Sequence, residues 1–332
     1  MTKTILLCEK INKKGEQLLI DAGFKVKIAS SIQPEVLKEE IKGVYGVIVR
    51  TSSFPKEVIE AGDALKIISR HGIGLDNIDI PQASKQNVLV ANVRGANTYS
   101  VAEYAVSAMM TLGRSFFRAD QLMRQGKFSD SSASLPGLVS RYHAGGNEIK
   151  GKTLGIVGFG DIGKQIVSLT QGLGIDILVY DAFVDIDSPD VTQVSSLDEL
   201  LTQADFVSLH IPLTANTSGL INTHSFKAMK ETAYLINASR GGIVNEADLK
   251  EALNSGDIAG AAVDVFETEP PQMDSPLFSA DNIILTPHIA GTTQEAIENL
   301  STGASQNIID FASGKLPKFA VNAEDLTKME EK

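Results

Sequence analysis

The 332 residues include no tryptophan and a single cysteine, and basic residues are outnumbered by acidic ones, 30 to 41. One cysteine excludes a disulfide framework within the chain and any thiolate metal cluster. Cys8 lies in an apolar run and reads as a packing residue. No metal is expected, and a reducing cytoplasm is the simplest setting. The formal net charge of −11 argues against a nucleic-acid partner, whose backbone phosphates would be repelled. A local positive pocket for a small anion stays open. No run approaches the ~18 apolar residues of a membrane span, so no membrane partner is expected. The opening Thr4-Ile5-Leu6-Leu7 meets charge again at Glu9, which suits a buried strand better than a signal peptide.

What is present is ordinary for a globular protein, 43% apolar and 21% charged, and long enough for two domains. In the first hundred residues, the apolar runs 4–7, 25–28, 44–49, 65–68 and 88–90 alternate with helical patterns such as 34–41. Alternation of this kind predicts a parallel sheet covered on both faces. A helical pattern over 98–124 is apolar around much of its surface, which predicts burial between domains or against a second subunit. It therefore suggests a homodimer. Residues 129–137 read as a polar loop. A second α/β run begins at Lys152, with strands at 154–157, 177–180, 206–209, 234–237, 261–265 and 283–285. A closing helix over 292–311 precedes a charged tail, 324–332, expected to fray.

The string Gly158-Phe159-Gly160-Asp161-Ile162-Gly163 follows a strand and opens a helix over 164–173. Glycines there permit a tight turn and close backbone approach, and the helix N-terminus favours a pyrophosphate. The next strand ends at Asp181, 18 residues beyond Gly163 (181 − 163). An acidic group at that distance accepts ribose hydroxyls and repels a 2′-phosphate, so NAD is favoured over NADP. The bland alternative for Asp181 is a turn or capping residue.

Interconverting a 2-hydroxy and a 2-keto acid by hydride transfer requires a group to hold the carboxylate, one to polarise the carbonyl and one to move a proton. Three strand ends offer them: Arg240 in Asn237-Ala238-Ser239-Arg240-Gly241-Gly242, Glu269 in Asp264-Val265-Phe266-Glu267-Thr268-Glu269-Pro270, and His288 in Pro287-His288-Ile289-Ala290-Gly291. Ligands bind at the carboxyl ends of strands in open parallel sheets, so the three can converge. Singly, each could be a surface or structural residue.

With these motifs in view, the chain resembles the D-isomer-specific 2-hydroxyacid dehydrogenase family over nearly its whole length. The resemblance implies an α/β fold of two doubly wound parallel-sheet domains, a Rossmann-type NAD-binding domain (100–290) inserted into a flavodoxin-like substrate domain (1–99 plus 291–332). It implies that Arg240 binds the substrate carboxylate and carbonyl, that His288 is the acid/base, and that Glu269 supports its protonated form. It places Asp264 against the nicotinamide carboxamide. His210, Pro212 and Thr217, with Ala238 and Gly291, are implied as cofactor neighbours.

In the first domain, Arg50 and Arg70 end neighbouring strands and would suit a phosphate. The N–H groups of Ile73 and Gly74 would bind a carboxylate. These segments are most similar to family members that oxidise 3-phosphoglycerate to 3-phosphohydroxypyruvate at the entry to serine synthesis. The chain ends soon after the closing helix, so feedback through an appended regulatory domain is not expected. Reduction of hydroxypyruvate, glyoxylate or another 2-keto acid is the alternative enzyme, and a non-catalytic NAD-sensing protein is the rival of another class.

Overall fold

The computed structural model describes residues 2–330 and divides the chain into two units, residues 1–97 with 292–332 and residues 98–291. The first unit holds β1 (Thr4–Leu7), β2 (Lys25–Ile28), β3 (Gly46–Val49), β4 (Ile67–Arg70) and β5 (Leu89–Ala91). All neighbouring pairs are parallel, in the order β2-β1-β3-β4-β5, which is the flavodoxin-like arrangement. Period-two alternation sends Leu6, Val47, Val49 and Ile68 to one core with Leu37 and Val58. Ile5, Leu7, Ile48 and Ile67 go to the opposite core, against Leu300, Ala304 and Ile308 of the helix Gln294–Ala312.

The second unit holds β6 (Thr153–Val157), β7 (Asp176–Tyr180), β8 (Thr192–Gln193), β9 (Phe206–Leu209), β10 (Tyr234–Asn237), β11 (Gly260–Val263) and β12 (Ile283–Leu285). Their order, β12-β11-β10-β9-β6-β7-β8, is the dinucleotide-binding arrangement extended by one strand. The strand order reverses between β6 and β9, and the crevice beyond their carboxyl ends is where such sheets take ligands.

The predicted helix over 98–124 is in fact two. Ser115 takes a left-handed φ of 51° and separates Thr98–Gly113 from Phe116–Arg124. The apolar girth of the first piece is satisfied within its own unit: Ala102, Ala105, Met109 and Leu112 pack with Ile156, Phe206 and Ile236. The second piece buries none of its residues and leaves Phe116 and Met123 more than half exposed.

The polar stretch 129–137 also departs from expectation, because a helix runs over Leu135–Arg141 and Ser134 Oγ accepts from Gly137 N–H. The predicted frayed tail is helical over Ala323–Glu330, while residues 331–332 lie outside the described residues. No helix of the described residues is long and apolar enough to cross a membrane.

Candidate active site

The glycine turn is built by three different constraints. Gly158 has φ +94°, and a Cβ there would lie 2.5 Å from the His210 carbonyl oxygen. At Gly163 a Cβ would meet the Gly158 carbonyl oxygen at 2.6 Å, so only hydrogen lets the helix Asp161–Thr170 seat against the turn. Gly160 is the opposite case: a Cβ would find nothing within 4 Å. The backbone at the N-terminus of this helix therefore stays open, and the first-turn residues Asp161 and Ile162 present N–H groups with no intrahelical acceptor. This is the cradle a pyrophosphate fits.

Asp181 follows β7. Its carboxylate accepts from Phe159 N–H at 2.8 Å and Phe183 N–H at 2.9 Å. It thus ties the glycine turn to the end of β7, and each oxygen keeps a further acceptor site for a hydroxyl. His210 follows β9, with its Nε2 2.8 Å from Ser208 Oγ. Its Nδ1 is buried without a partner, and burial pushes the ring down to about 3, so it stays neutral. Thr217 is half-buried, and its hydroxyl donates to the Pro212 carbonyl and accepts from Thr214 N–H, shaping the loop after β9.

Arg240 is carried by a turn that β10 starts. Asn237, buried at the strand end, accepts from Ser239 N–H and Oγ and donates to the Arg240 carbonyl. The neighbouring Gly241 is locked against the next strand end, since a Cβ there would fall 1.8 Å from the Phe266 carbonyl oxygen. The turn after β11 brings Glu269 round, with its Oε1 accepting from Phe266 N–H at 3.1 Å.

The turn after β12 carries His288 at φ 55°, a left-handed conformation rare for a side-chain-bearing residue. Nδ1–H of His288 donates to Glu269 Oε2 at 2.8 Å, leaving the imidazole half exposed with Nε2 as its remaining nitrogen. Burial alone would raise the Glu269 carboxyl. Hydrogen bonds from His288 and Phe266, with the charges of His288 and Arg240, hold it below the usual carboxylate range. A neutral imidazole fixed at Nδ1 can accept a proton at Nε2, and the protonated ring has an anion beside it.

Asp264 follows β11. Its side chain has no accessible surface, and it accepts from the Thr286 hydroxyl, Ile289 N–H and Ala290 N–H. This enclosed carboxylate, bound by three donors, holds the turn around His288. Ala238 and Gly291 flank the same strand ends and are partly exposed.

A model of the D-isomer specific 2-hydroxyacid dehydrogenase NAD binding domain matches residues 106–290. The chain belongs to that family. It is 36% identical over 321 residues to the D-3-phosphoglycerate dehydrogenase of Archaeoglobus fulgidus, covering 96% of this chain and 59% of that one. It is 39% identical over 279 residues to the glyoxylate reductase of Thermofilum pendens, covering 83% and 80%. The chain spans between 50% and 60% of the length of the first three phosphoglycerate dehydrogenases it matches. Among solved structures, an NADPH-dependent glyoxylate/hydroxypyruvate reductase from Sinorhizobium meliloti, in complex with NADP and malonate, superposes with a TM-score of 0.84 at 27% identity, covering 98% of each chain.

In the first unit, the expected arginine pair divides. Arg70 Nε donates to the Gly74 carbonyl at 2.9 Å and Nη1 to the His71 carbonyl at 2.6 Å, so its guanidinium clamps the 71–74 loop. A pocket with both arginines free for a phosphate is therefore not what the structure holds. Arg50 forms no side-chain hydrogen bond or ion pair with a described residue, and the N–H groups of Ile73 and Gly74 have no acceptor among the described residues.

Glu9, which the sequence does not mark, accepts from Arg50, Thr51 and Ser52 N–H and from the Thr51 hydroxyl. Burial opposes its charge, but these bonds outweigh it and hold the carboxyl low. His71 is buried 2.9 Å from Ser301 Oγ, and burial with the charges of Arg50 and Arg70 pushes it down to about 4.

Proposed function

We propose that this protein is an NAD-dependent dehydrogenase of D-2-hydroxy acids whose substrate is 3-phosphoglycerate, oxidised to 3-phosphohydroxypyruvate for serine synthesis. The observation that carries the reading is the His288–Glu269 pair at 2.8 Å beside Arg240. In oxidation, His288 Nε2 takes the proton of the substrate hydroxyl. In reduction, the protonated ring returns it to the carbonyl oxygen. Glu269 fixes the ring by Nδ1 and stabilises its charged form. Arg240 holds the substrate carboxylate and polarises the carbonyl.

The nicotinamide dinucleotide, when bound, exchanges a hydride with C2 of the substrate. Gly158, Phe159, Gly160, Asp161, Ile162 and Gly163 would hold its pyrophosphate, and Asp181 its adenosine ribose. The charge of Asp181 opposes a 2′-phosphate, which favours NAD over NADP. His210, Pro212, Thr217, Ala238 and Gly291 would border it.

In the first unit, the Ile73 and Gly74 N–H groups suit a carboxylate, and Arg50, whose side chain has no hydrogen-bond or ion-pair partner among the described residues, suits the phosphate. Arg70 acts by shaping the loop. The unit of residues 1–97 with 292–332 would take the substrate and that of 98–291 the cofactor. The exposed helix Phe116–Arg124 supports a homodimer, and the lone buried Cys8 a cytoplasmic setting.

Reduction of glyoxylate or hydroxypyruvate is the second reading, and the commitment of Arg70 to its own loop favours it. Steady-state rates with phosphohydroxypyruvate, hydroxypyruvate and glyoxylate, each with NADH and NADPH, separate the two. The first requires kcat/KM to be highest for phosphohydroxypyruvate with NADH. No turnover with any of the acids, despite tight NADH binding, would instead indicate a sensor.

A further inference from the structure

Thr286 lies two residues before His288, and Tyr104 projects from the helix Thr98–Gly113 of the same unit. Neither enters the proton chemistry above, yet both are joined to it. Asp264 Oδ1 accepts from Ile289 N–H at 2.8 Å and Oδ2 from Ala290 N–H at 2.8 Å. The Thr286 hydroxyl donates to the same Oδ1. With its one hydrogen committed there, Thr286 Oγ1 can only accept at its other contact, the Tyr104 hydroxyl at 2.6 Å. Tyr104 is therefore the donor, and the chain has one direction: Tyr104 to Thr286 to Asp264. Burial pushes the Tyr104 phenol up to about 12, so it keeps its proton across the working pH range.

The backbone closes the loop. His288 N–H donates to the Asp264 carbonyl at 2.8 Å, so the side chain and main chain of one aspartate grip residues 286 to 290 from both sides. The left-handed conformation of His288 is unfavourable for a residue with a side chain and persists only where its surroundings enforce it.

We propose that Tyr104 and Thr286 are positioning residues that set the direction of the His288 imidazole through Asp264. This rests on the acid/base reading of His288. The plain alternative is that Tyr104 and Thr286 are satisfied core polar groups whose loss costs stability alone.

The test uses the full chain with Thr286→Val, Thr286→Ser, Tyr104→Phe and His288→Ala. It measures melting temperature, NADH affinity by fluorescence titration, and the pH profile of keto-acid reduction. Thr286→Val keeps the volume and removes the donor. It should lower kcat ~10-fold or more, a fraction of what acid/base catalysis supplies, with NADH affinity and substrate KM within about twofold of wild type. A ring held less firmly against Glu269 loses its proton more readily, so the alkaline limb of reduction should move to lower pH. Thr286→Ser restores the hydroxyl and should restore both rate and limb, and Tyr104→Phe should give a smaller change of the same kind.

A lower melting temperature with an unmoved limb in both Thr286→Val and Tyr104→Phe would overturn the inference. So would a loss of NADH affinity matching the loss in kcat, which would assign the network to the cofactor pocket. If Thr286→Val does not fold, Tyr104→Phe carries the same readout. The parent reading is tested separately: near-normal turnover in His288→Ala removes it, whatever the other variants do.

Discussion

Glu269 and His288 stand 19 residues apart in sequence, and the carboxylate of one meets Nδ1 of the other at 2.8 Å. The partnership occupies Nδ1 and leaves Nε2 as the nitrogen for the proposed proton transfer. Removing His288 should therefore stop proton transfer while leaving the cofactor cradle intact. His288→Ala is expected to lower kcat by ~10²-fold or more with NADH affinity kept. Glu269→Gln retains a hydrogen-bonding side chain but loses the charge, so the protonated imidazole is less favoured. The alkaline limb of reduction should shift to lower pH, and an unshifted limb would separate Glu269 from the proton chemistry.

Asp181 already holds Phe159 N–H, and the proposed reading places the adenosine ribose against the same carboxylate. Asp181→Ala should weaken NADH binding more than NADPH binding, because the repulsion of a 2′-phosphate disappears with the carboxylate. Some loss should appear for both, as the glycine turn loses its tether. Equal losses for the two cofactors would leave only the tether.

Arg50 and Arg70 should separate in kinetics as they do in structure. Arg50→Ala is expected to raise KM for phosphohydroxypyruvate by roughly tenfold, the order of one charge-assisted contact, and to leave glyoxylate nearly unchanged. Arg70→Ala frees the carbonyls of His71 and Gly74 and should impair every keto acid tested. An unaltered KM for the phosphorylated substrate in Arg50→Ala would remove the phosphate assignment.

Mild acid should destabilise the fold through two histidines. His71 is pushed down to about 4 and His210 to about 3, so the folded chain refuses protons that the unfolded chain takes up below its ordinary histidine pKa of 6.5. Their stabilisation is complete above that value and is lost as pH falls toward the folded values. By pH 5 each should cost about 2 kcal/mol, read as a lower urea midpoint than at pH 7. His71→Gln should flatten this slope. The low-held carboxyls of Glu9 and Glu269 add their losses only at more acid pH.

Much of this was legible in the sequence because strands buried on both faces are continuous apolar runs. Five strands, 4–7, 25–28, 206–209, 234–237 and 283–285, have the bounds the sequence suggests, although 25–28 is an exposed edge strand that alternates lysine with apolar residues. The break at Ser115 was not legible, because a left-handed serine carries no signal of the kind a glycine gives. The helix Leu135–Arg141 could have been found: Ser134 followed by Pro136 is a helix-start signal, masked by a loop-like composition. For Asp264, the motif gave the position but not the enclosure, which depends on donors that follow more than 20 residues later in the chain. Glu9 gave no signal at all, since its four bonds are made to residues more than 40 positions away.

The contact between Gly241 and the Phe266 carbonyl bears on attempts to redesign the candidate site. A library that randomises the residues beside Arg240 would discard nearly every clone carrying a side chain at 241, since even the smallest would overlap the neighbouring backbone. Diversity for a broader acid range is better sought at Arg50 and Ile73, where space and exposure permit it.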